Sequence, residues 1–596
     1  MSLPTIENLL QNALGLVYPL NSGGEAEYLF RHTLVQETLY DSLLRTDRQR
    51  LHQAAGEALE QMAGMQAGDA ASPAFPAAVL AYHFDKAGNT LQALRYYSLA
   101  GDAAARVYAL PEAIGHYQRA LQTGGSAVDD ERLQHLCLSL GRALELSGEY
   151  FGALAVYQAL ESAGQERQAQ ALELAAVMAI TTLHATPTPL RDEQRVQALS
   201  QRALALARQA GDHAAEAKIL WNMMLVASTA GDAELGVQYG ELSLQIARTY
   251  GLREQTAFTL NDMQFCLIGT GQFERAIRGL EEARTLWLEL DNLPMRADNL
   301  ARLGLIYLLT GRYAAGEAAI AESYAISRSI DNLWGMSFSR MIIGQLYQYR
   351  GEPGRALLTN REVVELSQRG GSVVPQISTR IELAWMYALQ GDLETAQMLA
   401  GQARAAAQRY IPSWEPLVDA WQARIDVRSG DLESAQAIIE RLEAMQTHKD
   451  AYSRLQMVYI LPLAGVEYRL AVGRVRDAVE LIERALVMLR ASGIRPYTAE
   501  LQLLQARALL ELGQDALASA ALDEALAEID RMSGADLRWR GLLLQARIAL
   551  RCGSPETAAR LRQEARALVL QIAERCLPEL RPAYLAQAEI QAVLQD

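Results

Sequence analysis

A glycine that returns at a nearly constant step constrains the fold of this chain more than any other feature. The step is 40 residues from Gly271 to Gly311 and again to Gly351. Similar steps extend the series in both directions, to Gly231, Gly391, Gly430, Gly473, Gly513 and Gly553. Only Gly or Ala stands five residues after each one, as at Gly316 and Ala356. A fixed period of this length indicates a solenoid, in which one supersecondary unit stacks on the next.

A single repeat, residues 296–332, predicts a pair of helices. Leu300, Leu303 and Tyr307 recur at helical spacing before the pattern breaks at Gly311, and a second periodic run follows. The glycine can end the first helix because it adopts the left-handed conformation without a steric penalty. The small residue after it is expected where the second helix crosses the first closely. A larger side chain there would overpack the crossing.

These features predict an all-α fold, an α-solenoid superhelix of helix pairs with a period of about 40 residues. The superhelix is predicted to run over residues 77–577, and residues 578–596 are predicted to form a capping helix. Residues 61–76 are rich in Gly, Ala and Pro, which predicts a flexible linker.

Composition narrows the class of partner and the compartment. The formal charge of −15 argues against direct binding of nucleic acid, which favours basic surfaces. The four cysteines have no short spacing, which favours reduced thiols in the cytosol over a metal or redox motif: Cys137, Cys266, Cys552 and Cys576. The sequence contains no long apolar run and no signal-peptide pattern. We therefore expect a cytoplasmic protein without a membrane partner.

Motifs that carry chemistry are absent from the sequence. It contains no GxxxxGK[ST] loop to cradle phosphates, no HExxH and no GxSxG. Its eight histidines are scattered, and its carboxylates fit the solvated faces of amphipathic helices. The sequence therefore predicts a binding protein and not an enzyme, with no catalytic residue, no metal site and no cofactor.

The repeat resembles the tetratricopeptide superfamily. The turn Gly-x-x-x-x-Ala and the run Leu303, Gly304 and Tyr307 match consensus positions of that superfamily. The step of about 40 residues is longer than the standard repeat of about 34. It is similar to the extended units in the sensor arms of bacterial signalling ATPases.

The front of the chain resembles a segment of STAND-class signalling ATPases that joins a winged-helix module to the tetratricopeptide arm. The diagnostic positions of this joint, within residues 1–122, are Phe30, Arg31, His32, Leu34, Tyr40, Leu44 and His52. The resemblance implies that residues 1–60 are the remnant of the winged-helix module and a linker helix, with a possible hairpin between Tyr18 and Leu29. The family's ATPase precedes this joint. We therefore expect the chain to be the C-terminal part of such a protein, with a separate or missing ATPase or output domain as a partner.

The same resemblance implies a concave groove as the binding site. In this superfamily the residue six before each turn glycine points into the groove. The candidates for contact with a ligand or partner are Phe265, Gln345, Trp385, Arg424, Glu467, Arg507 and Arg547. One interpretation is a channel with an apolar middle and a cationic C-terminal end, partly neutralised by Glu467, suited to an amphipathic peptide or an anionic effector. The alternative is that the arginines pair with carboxylates of adjoining helices and the apolar residues only pack the core.

Two functions remain open from the sequence. The first is a sensor and interaction arm that binds a protein, a peptide or a small effector and relays occupancy to an ATPase or transcriptional output. The second is a free-standing tetratricopeptide scaffold or adaptor without a nucleotide-linked role.

Overall fold

A computed structural model describes residues 16–20, 27–62, 77–125, 128–186, 188–230, 232–341, 343–445 and 451–595. The chain separates into two compact units, Met1–Ala143 and Leu144–Asp596. All but eight of the residues assigned to regular structure are helical, which confirms the predicted all-α fold. The predicted linker 61–76 lies outside the described residues except for its first two positions.

The first described element of the first unit is the predicted hairpin. Strands β1 (Val17–Leu20) and β2 (Glu27–Phe30) pair antiparallel, with Val17 opposite Phe30. The helices of this unit are α1 (Thr33–Ser42), α2 (Arg45–Met62), α3 (Ala77–Ala87), α4 (Thr90–Arg106), α5 (Leu110–Gly124) and α6 (Asp130–Leu146), which contains the boundary.

The second unit is an array of antiparallel helix pairs. Its first part comprises α7 (Tyr150–Glu166), α8 (Gln170–Ala185), α9 (Glu193–Ala210), α10 (His213–Ala230), α11 (Ala233–Thr249), α12 (Arg253–Gly269), α13 (Phe273–Glu289), α14 (Leu293–Leu309), α15 (Tyr313–Ser329), α16 (Leu333–Arg340), α17 (Ile343–Tyr349) and α18 (Pro353–Arg369). Its second part comprises α19 (Val373–Leu389), α20 (Leu393–Tyr410), α21 (Glu415–Ser429), α22 (Leu432–Met445), α23 (Ala451–Ala471), α24 (Val475–Ser492), α25 (Pro496–Glu511), α26 (Asp515–Met532), α27 (Ala535–Arg551), α28 (Pro555–Glu574), α29 (Arg581–Ala586) and α30 (Ala588–Gln595). The single capping helix predicted for residues 578–596 is thus two short helices.

The turn glycines act as predicted. Gly311 has a φ of +78°, and the amide of Arg312 donates to the carbonyl of Tyr307 at 2.7 Å, which closes the C-terminus of α14. The other described members of the series also lie in the left-handed region. Gly231 lies outside the described residues.

The crossing of the two helices in a pair is as close as the small residues indicate. A Cβ added to Gly304 would lie 2.6 Å from Cγ1 of Ile320 and 3.2 Å from the carbonyl oxygen of Gly316. Only a residue without a side chain fits between these two helices. The two glycines Gly304 and Gly316 therefore set the distance between the helices of this pair.

Repeats that are far apart in sequence also contact one another. The amide of Arg495 donates to the carbonyl of Leu309 at 2.9 Å, and the hydroxyl of Tyr313 donates to Glu528 at 3.0 Å. Further along, the amide of Gly354 donates to the carbonyl of Arg575 at 2.9 Å. These bonds join successive turns of the superhelix, so the second unit is tightly wound.

Candidate functional site

We call the inner face the set of side chains that the first helix of each pair directs toward the other first helices. The described helices that contribute most to it are α12, α14, α17, α19, α21, α23, α25 and α27. Side chains on these helices meet across repeats, as Tyr349 of α17 does when its hydroxyl donates to Glu500 of α25 at 3.1 Å. The residue six before each turn glycine belongs to this face.

The candidate residues occupy three kinds of surroundings. Trp385 and Arg424 are buried, with 4% and 1% of their surface exposed, and Gln345 is 8% exposed. Phe265 and Glu467 are half-buried, and Arg507 and Arg547 are exposed. Burial therefore increases toward the middle of the array, and the exposed candidates lie toward its C-terminal end.

Arg424 lies at the centre of a buried ion cluster. Its guanidinium donates to Glu467 at 2.7 and 2.9 Å and to Glu500 at 2.5 Å. It also stacks 4.1 Å from the ring centroid of Trp385 and 5.4 Å from that of Trp421. Two carboxylates and two indole faces therefore satisfy one cation away from water.

This geometry corrects part of the predicted cationic tract. Arg424, Arg507 and Arg547 do not line one open surface, because Arg424 is inside the protein and fully paired. For Arg424 the alternative interpretation applies, in which the arginine pairs with carboxylates of adjoining helices. Its ion pairs join three first helices, α21, α23 and α25. Arg507 remains exposed and pairs with Glu511 on its own helix at 3.2 Å.

A carboxyl group lies beside this cluster on α19. Burial raises the pKa of Glu382 to about 8, so this side chain is protonated at neutral pH. Burial raises the pKa of Tyr497 on α25, and the charge of an ionised Glu382 would add to that rise. Oε2 of Glu382 and Oε1 of Gln345 are buried and have no hydrogen-bond partner within the part of the chain that the structure describes. These acceptors give the inner face unused hydrogen-bonding capacity.

A second buried cluster, which the sequence reasoning missed, is centred on Arg302 of α14. Its guanidinium pairs with Asp262 at 2.8 Å and with Asp298 at 2.6 Å. It also lies 4.8 Å from the ring centroid of Phe265 and 5.5 Å from that of Phe338. Phe265, predicted as a ligand contact, is therefore covered on one side by an arginine of the next repeat.

The Arg302 cluster contains two carboxyl groups, those of Asp262 and Asp298, for one guanidinium. Burial raises the pKa of Asp262 to about 6, although Arg302 opposes the shift. Trp221 Nε1 donates to Asp262 at 2.9 Å, and Asn261 donates to Asp298 at 2.6 Å. Asp262 and Arg302 each stand nine residues before a turn glycine, Gly271 and Gly311. The sequence reasoning considered only the position six residues before each glycine and therefore missed them.

The described residues include no group of three or more His, Cys, Asp or Glu side chains arranged to hold a metal ion. None of the described helices is long and apolar enough to cross a membrane. What the inner face offers chemically is recognition by guanidinium groups, carboxylates, amides and aromatic rings.

A superhelix of helix pairs with a glycine turn, a small residue at the crossing and an inner face of this composition defines a tetratricopeptide-type repeat protein. The model of one such family, the MalT-like TPR region, matches residues 263–575. This match covers more than half of the chain, and the chain therefore belongs to that family.

One curated relative is an uncharacterized protein, R02095, of Rhizobium meliloti (strain 1021). It is 32% identical over 124 residues, which are 21% of this chain and 12% of the relative. The chain thus matches only about an eighth of that protein's length.

Two solved structures show a distant likeness. A Rap protein complexed with competence and sporulation factor is 9% identical, with a TM-score of 0.40, and the match covers 75% of this chain and 99% of that one. The APC/C hetero-tetramer Cut9-Hcn1 is 14% identical, with a TM-score of 0.43, and the match covers 86% and 99%. Similarity at this level does not bear on function.

Proposed function

We propose that this chain is the ligand- or protein-binding sensor arm of a bacterial STAND-type signal-transduction ATPase or transcriptional regulator. The observation that carries the proposal is the match to the MalT-like TPR region over residues 263–575. The resemblance of the front of the chain to the joint of STAND-class proteins adds support from a separate part of the sequence.

In this proposal the partner or effector binds at the inner face, and the chain has no catalytic role of its own. The C-terminal part of the inner face is the favoured location, because Arg507 and Arg547 are exposed there whereas the middle is filled by the Arg424 cluster. Exposed arginines favour an anionic or acidic ligand. The proposed compartment is the cytoplasm.

Contacts between successive turns of the superhelix provide a way to relay ligand binding along the chain. The contacts between successive turns, such as Tyr313 with Glu528, connect repeats 215 residues apart. A ligand that binds one winding of the superhelix more tightly than another shifts the population toward it. Such a shift would be transmitted along the array to an attached output domain.

The test is an ATPase assay with a P-loop ATPase encoded by an adjoining reading frame. The rate of ATP hydrolysis should change when the chain is added. The change should be lost with Arg507→Glu/Arg547→Glu, which alters exposed inner-face residues.

The matched control is Arg248→Glu/Arg490→Glu, because these arginines are 52% and 59% exposed on second helices. The control should act like the unmodified chain. If neither the chain nor its variants affect hydrolysis, the free-standing scaffold is the better account.

A further inference from the structure

The C-terminal helices α29 and α30 cover part of the inner face with a carboxylate. Arg428 on α21 donates to Glu589 of α30 at 2.6 Å. Arg540 on α27 lies 3.6 Å from the other oxygen of the same carboxylate. Two first helices that belong to different repeats thus contact one acidic side chain near the end of the chain.

A third arginine acts on the same carboxylate. The charge of Arg540, followed by those of Arg428 and Arg507, lowers the pKa of Glu589 to about 2 against the opposing effect of burial. Arg507 is one of the residues that the sequence predicted for a cationic tract. Arg428 and Arg540, which the sequence did not predict as groove residues, are the arginines that contact this carboxylate directly.

Neighbouring hydrogen bonds hold the acidic segment in place. Nε2 of Gln587 donates to the carbonyl of Leu389 at 3.0 Å, and Arg428 donates both to Gln587 and, at 2.9 Å, to the carbonyl of Ala388. Tyr584 and Ile590 pack in the same apolar cluster as α28. The segment is thus held by apolar packing on both sides of Glu589 as well as by the arginines.

The ion pairs themselves remain accessible to water. The side chains of Arg428, Arg540 and Glu589 are 21%, 32% and 38% exposed. Because these side chains reach water, a competing carboxylate can approach them, whereas the guanidinium of Arg424 is 1% exposed and closed to it. Other acidic groups act on Arg540, namely Asp536 and Glu500. Glu500 is already engaged by Arg424 and Tyr349.

We propose that Arg428 and Arg540 form a binding site for an acidic peptide segment, and that Glu589 covers this site in the free chain. The inference deepens the proposed function, because it names the ligand class and the regulation of the same inner face. A tethered carboxylate acts at a high effective concentration. A competitor must therefore bring several carboxylates at once, which an acidic peptide does and a single small acid does not.

The experiment measures binding of a fluorescein-labelled octaglutamate peptide to the full chain at low salt. Glu589→Gln should bind it about tenfold more tightly than the unmodified chain, because the tethered competitor is lost. The double variant Arg428→Gln/Glu589→Gln should lose that gain. The gain should also fall with added salt.

Glu579→Gln is the matched control, because Glu579 belongs to the same terminal segment and its side chain is 60% exposed. Its ion pair with Arg361 is long, at 3.9 Å. It should bind octaglutamate as the unmodified chain does. Equal gains in Glu579→Gln and Glu589→Gln would mean that only net charge matters, and would overturn the proposal.

Amide hydrogen exchange of residues 581–595 gives the second readout. Faster exchange there in Glu589→Gln, together with tighter peptide binding, supports the proposal. Faster exchange without tighter binding shows that Glu589 only fastens the terminus, and overturns it. An unchanged affinity in a variant with an intact circular dichroism spectrum also overturns it. None of these outcomes depends on an ATPase, so failure here is distinguishable from failure of the proposed function.

Discussion

Arg424 of α21 and Glu500 of α25 form an ion pair with a distance of 2.5 Å, although 76 residues separate them in sequence. Glu467 of α23 shares the same guanidinium. The pair therefore connects alternate first helices and fixes how tightly the repeats wind at the centre of the array. Its burial distinguishes it from the arginines nearer the C-terminal end of the inner face.

Arg424→Met is expected to destabilise the chain strongly. The substitution removes a buried cation and leaves two partly buried carboxylates without their partner, and breaking a buried pair costs about 3–5 kcal/mol. Arg507→Met, at an exposed position of the same register, should cost about 0–1 kcal/mol. Urea unfolding followed by circular dichroism compares the two midpoints. Equal midpoints would contradict the structural role assigned to Arg424.

The register six residues before each turn glycine does not predict which of its positions are buried. Trp385, Arg424 and Arg507 have the same register, yet the first two are buried and the third is exposed. Burial depends on the pitch of the superhelix, which is decided by contacts such as Arg424 with Glu500. A local repeat pattern contains no information about residues that meet across several repeats.

The glycine pattern, in contrast, reports local geometry and was sufficient for the fold. A turn glycine and the small residue after it act within one helix pair, so their spacing predicts the pair directly. Glu589 could not be assigned in this way, because it stands beyond the last repeat. Its partners Arg428 and Arg540 do not stand six residues before a turn glycine, which is the only position that the sequence reasoning considered.

Gly304→Ala is expected to weaken the crossing of α14 and α15. The added methyl group would meet Ile320 and the backbone of Gly316, and overpacking of this kind costs about 1–3 kcal/mol. Gly401→Ala on α20 is the control, since a Cβ there has no atom within 4 Å among the described residues. The control should stabilise the chain by about 0.5–1 kcal/mol because alanine favours helix. Denaturant midpoints for both variants check the prediction, and a stabilising Gly304→Ala would refute the close crossing.

Glu382→Gln is expected to reduce the loss of stability at high pH. The pKa of Glu382 is raised to about 8 from an ordinary value of 4.5, so the folded chain retains a proton that the unfolded chain releases. Stability due to this group is complete below pH 4.5 and is lost as the pH rises through 8, by at most about 1.4 kcal/mol per pH unit.

Thermal unfolding at about pH 4 and about pH 9 checks the direction of this effect. The melting temperatures of the unmodified chain and Glu382→Gln should be similar at the lower pH, and the variant should be the more stable at the higher pH. Glu394→Gln, at an exposed position of the next helix, should follow the unmodified chain at both. A variant that is less stable at pH 9 would contradict the burial of the carboxyl group.

Helix α1 is expected to exchange its amide hydrogens faster than the rest of the first unit. None of the residues of Thr33–Ser42 is buried, and Leu34 is 75% exposed. Helix α4, Thr90–Arg106, buries several residues in the same unit and serves as the internal control. Equal protection of α1 and α4 would contradict the prediction.

The most direct test of the central claim, that the inner face of the superhelix is the binding surface, is amide hydrogen exchange of the full chain with a bound effector. The effector is the first compound or peptide that raises the melting temperature in a thermal-shift screen. The account predicts new protection in the first helices, above all α21, α25 and α27. Protection confined to second helices such as α20 and α24, with the inner face unchanged, would contradict it.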